Sequence, residues 1–273
     1  LTEKHYKDAF LQFGETEELR KNSLQELKQW LNDNPQINAH KNVKYLLFFL
    51  RGAKFNLDKA KKKIKTFYRM RAERAEWFQN RDPFLPEIME LLSIGVLLPL
   101  AEKDIYNRQI VIIRTAAHDP KKHAQNDVFK TMKMILDLLV YFDETISIYG
   151  ICAIFDMKGV TIGHAMQLTP MMIKRSVASW ENYPTRVKML EFVNAPLHVN
   201  VVLNVFRSFM SSKMKERVIV TRGQSKLSEL VNLPPELNGK SNTNYEDLIL
   251  YWKQKVQENA TWFAEDEQFK SIL

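Results

Sequence analysis

The segment GICAIFDMKGVTIGHAMQLTP, residues 150–170, contains the pattern that decides the fold. It opens with an apolar run, Ile151 to Phe155, which has the length and composition of a buried strand. It closes at Pro170, a residue type that fits the first turn of a helix. Because strands that are apolar on both faces are typical of parallel sheets covered by helices, the segment predicts one strand-to-helix unit of an α/β domain.

The same alternation continues on both sides of this segment. Three further short apolar runs have the composition of strands, and longer helical stretches separate them. The strand runs are residues 110–113, 190–193 and 218–220, and the helical stretches are residues 127–142, 170–180 and 196–210. The pattern therefore predicts a mainly parallel sheet with helices packed on it.

Residues before about position 95 show helical periodicity instead. Asn56 can cap a helix whose inner face includes Ile64 and Phe67. The lysines on the opposite face of this helix, Lys63 among them, predict a solvated surface. We expect an N-terminal helical subdomain over residues 1–85 and an α/β domain over residues 86–273, which a helix over residues 245–263 closes.

Composition limits the class of protein. A hydrophobic share of 45% and a charged share of 26% are typical of an ordinary globular chain rather than a disordered one. The single cysteine, Cys152, excludes an internal disulfide framework and favours a reducing compartment, so we expect a cytoplasmic protein. The net charge of +8 favours anionic partners such as nucleic acid or acidic lipid headgroups, although it is a weak signal alone.

The motifs of common α/β enzymes are missing from the sequence. It contains no G-x-G-x-x-G motif, no complete G-x-x-x-x-G-K-[ST] phosphate loop and no G-x-S-x-G elbow. Cys152 lies inside an apolar run, where a buried inert thiol is expected rather than a nucleophile. His118 and His123 flank a predicted loop without metal-ligand spacing. We therefore expect no enzyme activity, no cofactor, no metal and no nucleic-acid partner.

Two helical stretches carry more apolar surface than one core-facing side needs. Residues 127–142 and 196–210 are apolar around most of their circumference. A surface helix needs one apolar face, so a second face must contact another protein layer, a ligand or a membrane. Burial in the core and contact with a ligand both remain open from the pattern alone. Eight methionines between residues 132 and 210 suit an adaptable pocket, but they also suit a core.

Particular stretches resemble the CRAL-TRIO family, in its order and spacing, over about residues 17–263. Within that family the motifs are most similar to the branch of α-tocopherol transfer protein and cellular retinaldehyde-binding protein. The matching stretches are YLLFFLRGAKFNLDKAKKKIKTFYRMR (45–71), IVIIRTAAHDP (110–120), residues 150–170, YPTRVKMLEFVNAP (183–196) and FRSFMSSKMKERV (206–218). The resemblance implies a carrier that encloses a lipid between a sheet floor and helical walls, under a mobile helical lid.

The resemblance also implies site residues. The implied ligand-binding residues are Phe129, Met132, Leu136, Ile151, Ala153, Phe155, Ser179, Trp180, Tyr183, Leu190, Val202 and Phe206, the last two in the lid over residues 196–210. A phosphoinositide site is implied at Arg186, Lys188, Lys213 and Arg217. One basic position of that site is Ala53 in this chain, with Lys54 next to it, which predicts altered headgroup affinity or selectivity.

The implied function is binding and transfer of a tocopherol-, retinoid-, carotenoid- or terpenoid-like lipid, with transient membrane association and release by lid opening. Met132 and Leu136 stand where the tocopherol carrier has small hydroxyl side chains, so we expect a ligand with little polarity at that end. The alternative function is a phosphoinositide-responsive adaptor that senses lipid instead of transporting it.

Overall fold

The computed structural model of the chain describes residues 1–272, apart from the side chain of His198. Six helices precede the sheet, and Asn56 caps the fourth as predicted, because its side-chain oxygen accepts a 2.9 Å hydrogen bond from the Lys59 amide. These helices are α1 (Glu3–Phe13), α2 (Glu17–Asp33), α3 (Val43–Gly52), α4 (Leu57–Glu73), α5 (Ala75–Phe78) and α6 (Pro86–Ile94).

The sheet has five strands in the order β1-β2-β3-β4-β5, and β2 to β5 are parallel. The strands are β1 (Leu97–Pro99), β2 (Gln109–Arg114), β3 (Ile151–Asp156), β4 (Val187–Val193) and β5 (Val218–Thr221). The four predicted runs are the four parallel strands. The sequence did not predict β1, which pairs antiparallel with β2 at one edge.

The remaining helices cover this sheet, and the α/β prediction is confirmed. They are α7 (Gln125–Phe142), α8 (Ile146–Tyr149), α9 (Ile162–Met166), α10 (Pro170–Asn182), α11 (Asn200–Phe209), α12 (Ser212–Lys215), α13 (Tyr245–Glu258) and α14 (Ala260–Asp266). Two predicted helices were wrong in detail. In the stretch predicted from residue 196, Pro196 is extended at ψ 154° and a 3-10 turn follows it, so the α-helix begins later. The closing helix is interrupted at Asn259, whose backbone leaves the helical region.

Both faces of the sheet are buried along most of β1 to β3, which explains the continuous apolar runs of β2 and β3. Ile151 and Ala153 point into a large core shared with the N-terminal helices and α7. Cys152 and Ile154 point into a second core, on the opposite face, which includes Leu248 of α13. The alternation along β3 is the two-residue period of a strand.

Cys152 is expected to resist alkylation in the native protein. Burial raises the pKa of its thiol to about 12, so almost no thiolate forms at neutral pH. Iodoacetamide treatment followed by mass spectrometry should show an unmodified chain, whereas the same treatment in urea should modify Cys152. A small thiol in the same reaction serves as the control, and rapid labelling of the native chain would contradict the expectation.

A buried ion network joins the N-terminal helices to α7 and α14. The Asp266 carboxylate accepts hydrogen bonds from Arg71 and Arg81, the latter at 2.7 Å, and its other oxygen lies 2.6 Å from His40 Nε2. Asp137 of α7 lies 2.8 Å from Arg81. Burial raises the pKa of Asp266, but Arg71, Arg81 and His40 outweigh it and hold that pKa far below its usual range.

Candidate functional site

An apolar cavity of about 120 Å³ lies over the carboxyl-terminal part of the sheet. Ile113, Phe155 and Phe192 occupy one register row of β2, β3 and β4, and all three line it, together with Leu190. Helices α7 and α10 form its walls, and α11 covers it. Its position follows from the strand register, because these four side chains leave the same face of neighbouring strands.

The wall from α7 is a single stripe of the helix. Phe129, Met132, Lys133 and Leu136 line the cavity at positions i, i+3, i+4 and i+7. The other faces of α7 are buried as well, since nearly every side chain from Val128 to Val140 is inaccessible. Core packing and cavity lining therefore both account for the apolar excess of this helix.

The cover formed by α11 and the turn before it has two apolar sides. Val202, Leu203 and Phe206 line the cavity. On the other side Leu197 is 79% exposed and Val201 is 71% exposed. Apolar side chains on the solvent-facing side of a helix remain exposed to water, and such a surface suits contact with a membrane or another partner.

The structure brings together nine of the twelve predicted ligand-binding residues. These are Phe129, Met132, Leu136, Phe155, Ser179, Trp180, Leu190, Val202 and Phe206. Ile151 and Ala153 lie on the same face of β3 as Phe155 but nearer its start, inside the core and outside the cavity lining. Tyr183 is also outside the lining, and its hydroxyl donates a hydrogen bond to Asp137. Contact of these residues with a ligand stays a prediction.

Polar groups reach the cavity at two places. Lys133 donates a hydrogen bond to Ser179, and both side chains line the cavity. Burial lowers the pKa of Lys133 to about 8. Elsewhere in the lining, Thr115 Oγ1 and His118 Nδ1 are buried without a hydrogen-bond partner. Sequence reasoning missed Lys133, although its place in the stripe of α7 could have indicated it.

A cluster of five basic side chains lies beside the cover. We call Lys63, Arg186, Lys188, Lys213 and Arg217 the basic cluster. Burial, then the nearby charges of Lys213, Arg186 and Arg217, lower the pKa of Lys63 to about 8. Burial and the charges of Arg186 and Arg217 likewise lower the pKa of Lys188 to about 8. Within residues 1–272, no carboxylate lies within 4.0 Å of any of the five.

The four predicted phosphoinositide residues are therefore close together, and the structure adds Lys63. Its Nζ lies 3.4 Å from the Thr185 carbonyl oxygen, between α4 and the start of β4. Lys63 was predicted to be a solvated lysine, and that prediction was wrong because α4 turns this side chain towards β4. Near Ala53, the positive charges of Lys54 and Lys59 help to lower the pKa of Lys213.

Metal-binding clusters and membrane-spanning helices are both absent from the described part of the chain. No group of three or more His, Cys, Asp or Glu side chains there is arranged to hold a metal ion. His118 and His164 lie with their ring centroids 5.0 Å apart, and His123 is 6.4 Å from His118. No helix among residues 1–272 combines the length and apolarity needed to cross a bilayer.

Comparison with known proteins places this geometry in a family. A family model described as "CRAL/TRIO domain" matches residues 95–239, more than half of the chain, and one described as "Pinta-like, UBA domain" matches residues 16–88. Clavesin-2 of Rattus norvegicus is 24% identical over 237 residues, which cover 85% of this chain and 72% of that protein. Clavesin-1 of Xenopus laevis is 23% identical over 235 residues, which cover 84% of this chain and 70% of the relative.

A solved structure shares the fold. The crystal structure of Sfh5 matches with a TM-score of 0.60 at 16% identity, over 88% of this chain and 98% of that chain. The narrower resemblance to the branch of the tocopherol and retinaldehyde carriers stays a prediction. The family model and the shared fold confirm the resemblance carried by the motifs, and the chain belongs to the CRAL/TRIO family.

Proposed function

We propose that the protein binds a hydrophobic small molecule in the cavity and transfers it to or from membranes that contain phosphoinositides. The main support is that α11, which covers the cavity, has apolar residues both on its cavity side and on its solvent side. Movement of this cover would expose the cavity and place its outer side in a membrane. The proposal assigns no catalytic step to the cavity.

The size of the cavity supports a moving cover. A volume of about 120 Å³ is close to that of engineered cavities, about 150 Å³, that bind benzene. A lipid-sized ligand therefore requires the walls or the cover to move outwards. Met132, Met210 and Met214 line the cavity, and their flexible side chains allow such adjustment.

Exposed apolar residues surround the cavity on two helices. In α9, Ile162 is 67% exposed and Met166 is 79% exposed, while His164 and Ala165 between them line the cavity. Leu197 and Val201 are exposed in the same way beside the lining residues of the cover. Single exposed apolar residues are common in proteins, but a group around one cavity favours a membrane-contacting surface.

The basic cluster supports recognition of an anionic headgroup. Its members are crowded and without carboxylate partners, so an incoming phosphate relieves their mutual repulsion. Lys213 lies in α12, which follows the cover in the chain, and Arg217 precedes β5. A headgroup bound there is therefore linked by a few residues of chain to the cover.

Replacement of Val201 by aspartate is expected to slow transfer at least 10-fold. A charged residue inserted into the apolar part of a membrane costs about 2.5–3.5 kcal/mol, whereas the outward Val201 side chain contributes little to the fold. The measurement is the rate at which retinol, followed by its fluorescence, moves from loaded protein to vesicles containing phosphoinositides.

Leu250→Asp is the matched control for this experiment. Leu250 is 68% exposed on α13, which packs against the opposite face of the sheet, and its replacement should leave the rate unchanged. Equal rates for Val201→Asp and the unmodified protein would contradict the membrane role of the cover. Vesicle binding with no transfer of any hydrophobic ligand would instead support the lipid-sensing alternative.

A further inference from the structure

We propose that Lys133 and Ser179 form a subsite for a carboxylate, so that the ligand of the cavity is a long-chain or polyene carboxylic acid. This inference rests on the proposed function, because it presumes that the cavity holds a hydrophobic molecule. The class of that molecule follows from Lys133, the cationic side chain of α7 that lines the cavity.

Lys133 occupies the middle of the α7 stripe that lines the cavity. Met132 and Leu136 flank it on the same stripe, and Phe129 lies one turn before it. Its Nζ donates a hydrogen bond to Ser179 of α10, so the ammonium bridges the two walls. An ammonium group has three donors, so this contact leaves two for a further acceptor.

Lys133 forms no ion pair within residues 1–272, although the more distant charge of Asp137 partly offsets the lowering of its pKa by burial. No carboxylate in the described chain lies within 4.0 Å of its Nζ. The nearest acidic residue on its own helix, Asp137, is engaged by Arg71 at 3.5 Å, by Arg81 at 2.8 Å and by the Tyr183 hydroxyl. A buried charge without a counter-ion is costly, so its retention in an apolar wall calls for a second explanation.

Aromatic rings accommodate the cation but do not neutralise it. Lys133 Nζ lies 5.0 Å from the ring centroid of Tyr183 and 6.0 Å from that of Trp180. The faces of such rings attract a cation without accepting its protons. The rings around Lys133 therefore stabilise its ammonium group and leave its charge available to bind an anion.

A carboxylate attached to an apolar chain meets these requirements together. One oxygen accepts the free Nζ donors, and Ser179 can donate its hydroxyl proton to the other. The rest of the molecule meets Met132, Leu136 and Phe129 in the wall. The lowered pKa of Lys133 is consistent with this assignment, because burial without a counter-ion disfavours the charged form and a bound carboxylate restores it.

This assignment alters the expectation drawn from Met132 and Leu136. Their side chains remove hydroxyl anchors from the wall, which predicted a ligand of low polarity at that end. Lys133 lies between them and supplies an anchor of another kind, specific for an anion instead of a hydroxyl.

The test compares a fluorescent long-chain carboxylic acid with its methyl ester, which keeps the chain and removes the charge. The unmodified protein should bind the acid about 10- to 100-fold more tightly, which is the usual range for a hydrogen-bonded charge. Lys133→Met should abolish this preference and still bind the ester, which also shows that the variant is folded. Ser179→Ala should reduce the preference in part.

Lys130→Met is the matched control. Lys130 lies on α7 close to Lys133, but its Nζ points to the Asn80 carbonyl oxygen and it does not line the cavity. This variant should keep the full preference for the acid. The preference of the unmodified protein should also fall between about pH 7 and about pH 10, as Lys133 loses its proton, while ester binding stays constant.

The outcomes separate this inference from the proposed function. Equal affinity of the unmodified protein for acid and ester would overturn the carboxylate subsite and leave the carrier function intact. Binding of neither probe would overturn the carboxylate subsite, and failure to bind retinol as well would overturn the proposed function. A preference for the acid that survives in Lys133→Met would also overturn the assignment, because another group would then hold the carboxylate.

Discussion

A variant with Lys63, Lys188 and Lys213 all replaced by methionine is expected to bind phosphoinositide-containing vesicles about 100-fold more weakly than the unmodified protein. Each lysine near an anionic membrane surface contributes about 1 kcal/mol, so the loss of three corresponds to roughly two orders of magnitude. These three are chosen because Arg186 also bonds the Ile148 carbonyl oxygen at 2.7 Å, a structural contact that the test should leave in place. Sedimentation with vesicles measures the affinity.

The same variant is expected to unfold at an equal or higher temperature than the unmodified protein. The cluster brings like charges together in a partly buried place, where burial and mutual repulsion lower the pKa values of all three lysines. Removal of these charges therefore relieves a cost in the folded state. Loss of binding together with retained stability distinguishes a binding site from a structural one.

Replacement of Lys62, Lys121 and Lys240 by methionine is the control for charge alone. These lysines are exposed and lie outside the basic cluster, and their loss changes the net charge by the same amount. Their replacement should change vesicle affinity only slightly. If both triple variants lost affinity equally, attraction would come from overall charge and the cluster would not be a site.

Replacement of Asp266 by asparagine is expected to lower the free energy of unfolding by about 3–5 kcal/mol at neutral pH, the usual cost of breaking a buried ion pair from one side. Among the described residues, the change leaves Arg71 with Asp137, and Arg81 with Asp137 and the partly exposed Glu267 at 3.9 Å, as the remaining close carboxylates. Urea unfolding followed by tryptophan fluorescence measures the difference. Glu265→Gln, at an exposed neighbour, should change stability by less than about 0.5 kcal/mol.

The difference between the unmodified protein and Asp266→Asn should shrink as the pH falls. Burial raises the folded-state pKa of Asp266, but the nearby charges, mainly that of Arg71, lower it by more. The carboxylate therefore contributes stability above the unfolded pKa of about 3.9. Below that pH the unfolded chain takes up a proton that the folded chain does not, and the contribution is lost. A difference that stayed constant between about pH 7 and about pH 3 would contradict the assignment of this carboxylate.

The parallel strands were predictable because each contains a short run rich in apolar residues. Strand β1 was not, since Leu97–Pro99 lies inside a longer apolar stretch and its pairing depends on β2, not on a local pattern. The break at Asn259 was also hidden, because apolar spacing continues across it from α13 to α14. Local periodicity therefore predicted where elements lie better than where they end.

The residues that line the cavity were likewise only partly predictable from the sequence. The resemblance implied Ile151, Ala153 and Phe155 as ligand-binding residues, and all three lie on one face of β3. Which of them reaches the cavity depends on what covers each end of the strand, which is a property of the tertiary structure. Lys133 and Lys63 were missed for a related reason. A lysine predicts solvent exposure until the rotation of its helix in the fold is known.

The network around Asp266 also bears on the order in which the chain is completed. Arg71 and Asp266 are separated by 195 positions. At a synthesis rate of about 5–20 residues per second, the segment that carries Arg71 and Arg81 leaves the ribosome roughly 10–40 s before Asp266 does. For that interval two guanidinium groups have no complete counter-ion, so the N-terminal helices stay loosely packed and open to chaperones. Their final packing therefore requires that the chain has been synthesised as far as Asp266.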